Sequence, residues 1–368
     1  MILTAKNNYE ALDKWLKDKK KVFLVCDNSI RYLEDFNQKL KEITVPMISF
    51  SDFLPNPLYE SVVRGVRLFQ KEKCDSIIAV GGGSAIDVAK CIKLYSNMKG
   101  NGENGEWLKA ECIPNEIPFL AMPTTAGTGS EATRYAVIYY DGKKQSITSE
   151  SIIPDDVLMD PRSLKTLPLY QKKATMCDAL CHAIESFWSM NSTNESKDYS
   201  KIAINGVLEN MKGYLSNTDE GNAGMLMAAH YAGKAINITQ TTAGHAMCYK
   251  ITSLFGCAHG HAAILCDRIL FPWMIENADK CIDSRGKEYL LDTLNDIGQV
   301  LGCDDAKQGA KKLSDLFIEL ELEIPVADKK QFEELRSSVN PERLKNHPIS
   351  LDNDTISDLY CHILKEKV

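Results

Sequence analysis

Ser76-Ile77-Ile78-Ala79-Val80-Gly81-Gly82-Gly83-Ser84-Ala85-Ile86-Asp87-Val88-Ala89-Lys90 is the stretch on which the fold turns. Ile77–Val80, after Ser76, are apolar without alternation, as in a strand buried on both faces. Three glycines end the run, and from Ala85 to Tyr95 the apolar spacing becomes helical. Strand, glycine turn and helix make up the repeating step of a parallel α/β sheet. The step recurs on either side. Lys21–Cys26 (KVFLVC) precedes an amphipathic Ile30–Ile43, Val45–Phe50 precedes a helical Tyr59–Lys71, and Pro118–Met122 reads as a fourth strand.

From about Pro161 the texture changes. Ala174–Met190, Asp198–Tyr214, Ala223–Ile238 and Gly286–Leu301 carry helical periodicity, and few strand-like runs interrupt them. The sequence therefore predicts two domains, an α/β dinucleotide-binding domain at 1–160 and an all-α domain at 161–368. The junction is placed at Pro154–Pro161. A length of 368 residues, near the limit of a single core, supports the division. No repeat with a solenoid period and no low-complexity tract occurs.

Charge and cysteine usage exclude several classes. The balance of 43 Lys+Arg against 50 Asp+Glu gives a net charge of −7, which argues against a general nucleic-acid binder. It leaves room for a local basic pocket. The 12 cysteines are scattered with no CxxC pair, and no secretory leader or membrane-length apolar run is seen. This pattern predicts reduced thiols in a cytoplasmic protein.

Two loops carry nucleotide-binding chemistry. Gly81-Gly82-Gly83 follows a strand and Ser84 opens a helix, so backbone can approach a pyrophosphate at a helix start, with Ser84 as a possible cap. The pattern is not GxGxxG, and glycine triplets also occur in plain turns. Pro123-Thr124-Thr125-Ala126-Gly127-Thr128-Gly129-Ser130-Glu131 follows the next strand. Two such loops would line the crevice where open sheets bind ligands. Asp27, just after the first strand, is placed to bond a ribose hydroxyl.

The second half carries candidate metal ligands. Asp178 and His182 are spaced i, i+4 and share a helix face. His245 and His259 lie further on. One carboxylate and three imidazoles suit Fe²⁺ or Zn²⁺, although any one of these histidines alone would more often be a core or surface residue.

Taken together, GGGSAIDVAK (Gly81–Lys90), PTTAGTGSEAT (Pro123–Thr133), DALCHAIES (Asp178–Ser186) and GHAMCYKITSLFGCAHG (Gly244–Gly260) resemble the signatures of the iron-containing, or group III, alcohol dehydrogenases, in order over essentially the whole chain. The resemblance implies the dehydroquinate synthase-like fold, with a site in the cleft between its domains. It also implies Fe²⁺ (or Zn²⁺ or another divalent ion) on Asp178, His182, His245 and His259, and a soluble homodimer or larger homo-oligomer. It implies NAD(H), with NADP(H) open, held by Gly81, Gly82, Gly83, Ser84, Asp87, Thr124, Thr125, Thr128 and Ser130. Asp27 matches the position where an acid disfavours a 2′-phosphate. Asn56-Pro57 matches a loop on the adenine side, and Lys144 a lysine near the cofactor.

The chain departs from many relatives at Tyr249, where they carry a histidine four residues after the third ligand. A phenol can donate a proton or hydrogen bond there. Ser130–Lys144 and His245–Ser253 resemble the branch that reduces phosphonoacetaldehyde to 2-hydroxyethylphosphonate. On that reading Tyr249, Lys250 and Arg134 serve catalysis and anion binding, with Lys144 nearby; the cations can equally be solvated. The alternatives are a short-chain alcohol dehydrogenase, a 1,3-propanediol or lactaldehyde reductase, a hydroxybutyrate dehydrogenase, a dehydroquinate synthase-like lyase, and a non-catalytic binding module.

Overall fold

The computed structural model describes residues 1–367. Contacts divide them into two units, one of 1–167 with 217–226, the other of 168–216 with 227–367.

The first unit is built on a six-stranded, wholly parallel sheet. Its strands are β1 (Ile2–Thr4), β2 (Val22–Cys26), β3 (Met47–Phe50), β4 (Ser76–Gly81), β5 (Phe119–Pro123) and β8 (Asp156–Met159), in the order β1-β8-β5-β4-β2-β3. Every residue of β2, β4 and β5 is buried. Alternate residues serve opposite faces, as the pleat requires. Phe23, Val25, Ile77, Ala79, Phe119 and Ala121 join the core under α3 (Tyr59–Glu72) and α4 (Gly83–Tyr95). Val22, Leu24, Ile78, Val80, Leu120 and Met122 join the core with Tyr9, Leu12 and Leu16 of α1 (Lys6–Leu16) and Phe36 of α2 (Glu34–Glu42).

The chain runs from β2 outward to β3, then returns past β2 to β4. The direction of winding therefore reverses between β2 and β4, which is where open sheets bind ligands. Register aligns Cys26 with Val80 and Gly81 with Pro123. Asp27, the glycine triplet and Thr124 thus emerge side by side at the carboxyl edge.

Four features alter the sequence reading or add to it. Ile30–Ile43 is not one helix: a 3₁₀ turn at Asn28–Tyr32 and α2 are separated by Leu33, whose ψ of 73° is non-helical. The proline-bracketed stretch at 154–161 contains β8, which completes the sheet beside β5. The segment after Thr133 forms an antiparallel hairpin of β6 (Tyr135–Tyr140) and β7 (Lys143–Thr148). Asp141 and Gly142 turn it with φ of 49° and 67°, the left-handed pair that suits a tight hairpin. Finally, Val326–Ala327 and Lys365–Glu366 pair as a small parallel ribbon, so the second half is not purely helical. A short α5 (Glu106–Lys109) completes the first unit.

The second unit holds α6 (Leu169–Trp188), α7 (Asn194–Leu215), most of α8 (Asp219–Thr239), α9 (Ala243–Phe255), α10 (His259–Glu276), α11 (Lys287–Val300), α12 (Ala306–Glu319), α13 (Lys329–Ser338), α14 (Pro341–Leu344) and α15 (Asn353–Ile363). The last three turns of α6, Met176–Trp188, are wholly buried. α10 packs so closely on α6 that a Cβ at Gly260 would meet the Ala174 carbonyl at 2.0 Å and Asp178 Cβ at 2.6 Å. Glycine beside His259 is thus a packing requirement. All twelve cysteines are free thiols, and no helix among the described residues is long and apolar enough to cross a membrane.

Candidate functional site

At the carboxyl edge of the sheet, the two glycine loops are locked together. A Cβ at Gly81 would meet Ala85 Cβ at 2.6 Å and Asp27 Oδ2 at 2.7 Å. Gly82 and Gly83 pack on Thr125 and Thr128, where a Cβ would stand 3.3 and 3.0 Å from their γ-methyls. Thr124 N donates to the Gly81 carbonyl at 3.0 Å. Asp27 accepts from Ser29 N at 2.8 Å, and Ser29 Oγ is 3.4 Å from Thr124 Oγ1. The helix cap differs from the sequence reading. Gly82 is the cap residue, Gly83 begins α4, and no side chain caps it, Ser84 included. Ala85 N and Ile86 N donate to the Gly82 carbonyl at 3.1 and 3.3 Å, and no side chain covers the start of α4, which leaves the N–H groups of Gly83 and Ser84 as the candidates for a phosphate.

Beneath the loops lies a polar knot that sequence reasoning placed only in part. Lys90 is buried, and its ammonium donates to the carbonyls of Ser130 (2.6 Å), Thr133 (2.7 Å) and Tyr135 (2.7 Å). It also reaches the hydroxyls of Ser130 and Thr133, each at 3.1 Å. Burial pulls its pKa down to about 8, against the attraction of Asp87 and Glu131. Asp87 accepts from Ser130 Oγ (2.6 Å) and Val137 N (3.0 Å), so its carboxylate braces the second loop from behind. Lys144, on β7, acts on the same carboxylate electrostatically. Asn56 adopts a left-handed conformation with φ of 59°, and the Pro57 carbonyl accepts from Tyr139 N at 2.8 Å. Arg134 is committed to Glu150 (2.6 Å) and to the Tyr135 hydroxyl (3.1 Å).

The second unit gathers the candidate ligands. One donor atom each from Asp178, His245 and His259 falls within 4.8 Å of the others. His245 Nε2 is 3.4 Å from Asp178 Oδ1 and His182 Nε2 is 4.0 Å from it, at the margin of the cluster. The His182 and His245 rings stack at 4.4 Å with 15° between their planes. Donors on one divalent ion at about 2.0–2.2 Å stand roughly 3–4 Å apart, so this set fits such an ion. Asp178 and His245 are almost wholly buried. Burial opposes the charge on Asp178, yet the imidazoles around it hold its carboxyl well below the usual range.

Glu185 is the residue that the sequence reading passed over, although it stands inside the quoted DALCHAIES motif. At i+7 from Asp178 it shares that helix face, and it is fully buried. Its carboxylate accepts from Thr242 Oγ1 (2.7 Å), Thr242 N, His245 N (3.0 Å) and His245 Nδ1. Holding Nδ1 fixes the tautomer that turns Nε2 toward Asp178. Burial works against charge on His245, but Glu185 and Asp178 keep its pKa up, at about 10. Gly244 lets this happen, since a Cβ there would meet Asp267 Oδ1 at 1.9 Å and Glu185 Oε1 at 2.7 Å.

Tyr249 stacks on His259 with ring centroids 5.2 Å apart and planes 22° apart. Burial pushes its pKa well up, so the phenol keeps its proton. Lys250, its neighbour, pairs with Glu334 at 2.5 Å. The cation that touches Tyr249 is instead Arg343, whose Nη1 donates to the phenol oxygen at 3.1 Å. Nothing in the local sequence marked Arg343, because it lies 94 residues away.

Comparison with known proteins agrees with this geometry. Residues 1–161 match the family described as iron-containing alcohol dehydrogenase, and residues 172–364 match the C-terminal region of the Fe-containing alcohol dehydrogenase family. A 1,3-propanediol dehydrogenase from Citrobacter freundii is 30% identical over 275 residues, covering 72% of this chain and 70% of that protein. A phosphonoacetaldehyde reductase from Streptomyces viridochromogenes is 29% identical over 261 residues, covering 67% and 66%. The solved sulfoacetaldehyde reductase from Bifidobacterium kashiwanohense, in complex with NAD+, shares the fold with a TM-score of 0.85 at 22% identity, over 99% of this chain and 96% of that one. With both halves of its sequence matched, the chain belongs to the iron-containing alcohol dehydrogenase family.

Proposed function

We propose that the protein reduces a small anionic aldehyde to a primary alcohol with NADH, phosphonoacetaldehyde to 2-hydroxyethylphosphonate being the foremost pair. The observation that carries the reading is the cluster of buried Asp178 and His245 with half-buried His259, with His245 oriented by Glu185. Two of the matched proteins are named for two-carbon aldehydes bearing a tetrahedral anion, which supports the choice of substrate class.

Asp178, His182, His245 and His259 would hold the divalent ion, Fe²⁺ by family or Zn²⁺ by ligand chemistry. When bound, the ion would supply Lewis-acid polarisation of the carbonyl, and NADH would supply the hydride. The chain's own residues do the rest. The first N–H groups of α4 and the backbone of Gly82 and Gly83 receive the pyrophosphate. Thr124, Thr125, Thr128 and Ser130 form the facing wall, and Asn56-Pro57 borders the adenine side. Asp27 offers a carboxylate oxygen to the ribose, where a 2′-phosphate would meet like charge. Tyr249, kept as a phenol and stacked on His259, is the proton donor of this reading.

The test is NADH oxidation by the Fe²⁺-loaded protein with phosphonoacetaldehyde beside acetaldehyde, lactaldehyde and succinic semialdehyde. The reading expects the highest kcat/KM for the phosphonate. A preference for an uncharged aldehyde would refute the substrate, and product formation without net NADH loss would refute the reductase in favour of a lyase.

A further inference from the structure

We propose that Arg343 is the residue that recognises the anionic end of the substrate, held over Tyr249 at a fixed distance from the ligand histidine. The inference rests on the anionic-aldehyde reading above and names the group that would enforce it.

Four cations stand in the segments under discussion, and their partners separate them. Arg134 is paired with Glu150 and Lys250 with Glu334, while Lys144 acts electrostatically on the carboxylate of Asp87. The first two are closed ion pairs within the fold, and Lys144 shares its field with a buried carboxylate. Arg343 differs: among the described residues no carboxylate lies within ion-pair distance of it, and the one side-chain group it bonds is the phenol of Tyr249. Its guanidinium carbon lies 5.0 Å from the Tyr249 ring centroid. The other face of the problem is the stack of Tyr249 on His259. The same aromatic ring thus touches both a guanidinium and a candidate metal ligand.

The chemistry suits a tetrahedral oxyanion. Stacking on an aromatic face offsets part of the cost of drying a guanidinium and leaves in-plane N–H groups for a ligand. Only one of its five N–H groups is used by Tyr249. The planar fork matches two oxygens of a phosphonate or sulfonate, which a lysine cannot do. Arg343 is half-buried, so its field is screened less than that of a surface cation.

The backbone that carries Arg343 is fixed in advance. Asn340 caps α14 by accepting from Glu342 N at 3.0 Å, and Pro341 occupies the first helical position. Arg343 N donates to the Asn340 carbonyl at 3.0 Å. Three residues on, Asn346 bonds Gln240 (2.9 Å) and Asn191 (2.8 Å), tying the segment to the loop after α6 and the loop before α9. A pre-positioned arginine loses less entropy on binding.

The experiment compares wild type, Arg343→Ala and Arg343→Lys as metal-loaded full-length enzyme. Steady-state kinetics are measured with phosphonoacetaldehyde and with butanal, and methylphosphonate is tested as an inhibitor of butanal reduction. The expected result is a fall of at least about tenfold in the ratio of kcat/KM for the anionic over the neutral aldehyde in Arg343→Ala, carried by KM, with partial recovery in Arg343→Lys. Inhibition by methylphosphonate should weaken in parallel. A ratio within about threefold of wild type together with undiminished inhibition overturns the assignment. If wild type prefers butanal yet methylphosphonate inhibits it through Arg343, the anion site stands and the phosphonate substrate falls. Should Arg343→Ala fail to fold, Arg343→Lys and Tyr249→Phe decide the matter. A loss of inhibition in Arg343→Lys that Tyr249→Phe does not reproduce supports direct recognition by Arg343. Equal loss in both overturns it in favour of a role confined to orienting Tyr249.

Discussion

Replacing Glu185 by glutamine tests how the candidate metal site is organised. The change is nearly isosteric, so cavity formation is avoided and the effect falls on hydrogen bonding and charge. Four donors converge on this carboxylate: the Thr242 amide and hydroxyl, and the His245 amide and Nδ1. A glutamine amide has one oxygen to accept with and presents an NH₂ on its other side. One pair of donors must then face another donor, or His245 must flip its tautomer and turn its lone pair away from Asp178. The loss of negative charge acts in the same direction, because it makes the ligand imidazole less basic.

The magnitude can be bounded. Outer partners of ligand histidines are worth about 10–100-fold in metal affinity, or about 1.4–2.7 kcal/mol. Disrupting a fully buried charge-assisted pair costs the metal-free fold up to about 3–5 kcal/mol. Glu185→Gln should therefore weaken Fe²⁺ or Zn²⁺ binding by one to two orders of magnitude in competition with a chromophoric chelator. It should also lower the thermal midpoint of the metal-free protein. Glu185→Asp keeps the charge but shortens the reach, and should fall between. Metal affinity within about threefold of wild type in Glu185→Gln would show that His245 is oriented by something else.

Three other outcomes follow from particular contacts. Lys90→Met leaves the carbonyls of Ser130, Thr133 and Tyr135 without their buried donor, and should cost about 3–5 kcal/mol in urea denaturation while weakening NADH binding. An unchanged midpoint would mean that water satisfies them. His347 is buried with neither ring nitrogen bonded to protein, and burial pulls its pKa down to about 4 although Glu185 pulls the other way. The unfolded chain binds a proton near pH 6.5 that the fold refuses until about pH 4. Stability is therefore full above pH 6.5 and is lost as pH falls toward 4, by about 3 kcal/mol. His347→Phe should flatten that part of the stability profile; an unaltered slope would assign it to other groups. His259→Ala should abolish the rise in melting temperature on adding Fe²⁺ while far-ultraviolet circular dichroism is retained, and a surviving rise would remove His259 from the ligand set.

What the sequence made legible is what periodicity and local motifs encode. β2, β4 and β5 were readable because each is a short apolar run hidden on both faces, and the edge strand β3 because its run is still largely apolar. β1 and β8 escaped because three or four residues give no period, and Asp156 and the flanking prolines look like a linker. The Asp141-Gly142 hairpin signal was present but sat in a segment read for its charges. Asp178 and His182 were readable as a helical pair. Glu185 was in plain view on the same face at i+7, yet a buried carboxylate and an exposed one look alike until a partner is known. Here that partner is Thr242–His245, in a different helix.

The same physics separates the cations on the proposal made for Arg343. Arg134, Lys144 and Lys250 were singled out because they lie beside motifs in the chain. Proximity in sequence says nothing about whether a charge has already been answered. Glu150 lies 16 residues from Arg134 and Glu334 lies 84 from Lys250, and both pairs are closed. An anion pocket needs the opposite: a cation held in place by neutral groups, so that its charge remains for the ligand. Helix capping by Asn340, stacking on a phenol and an amide tether at Asn346 meet that condition at Arg343 without a single carboxylate. The net charge of −7 is then no obstacle to a dianionic substrate, because specificity is decided by which cations the fold leaves unneutralised next to the chemistry.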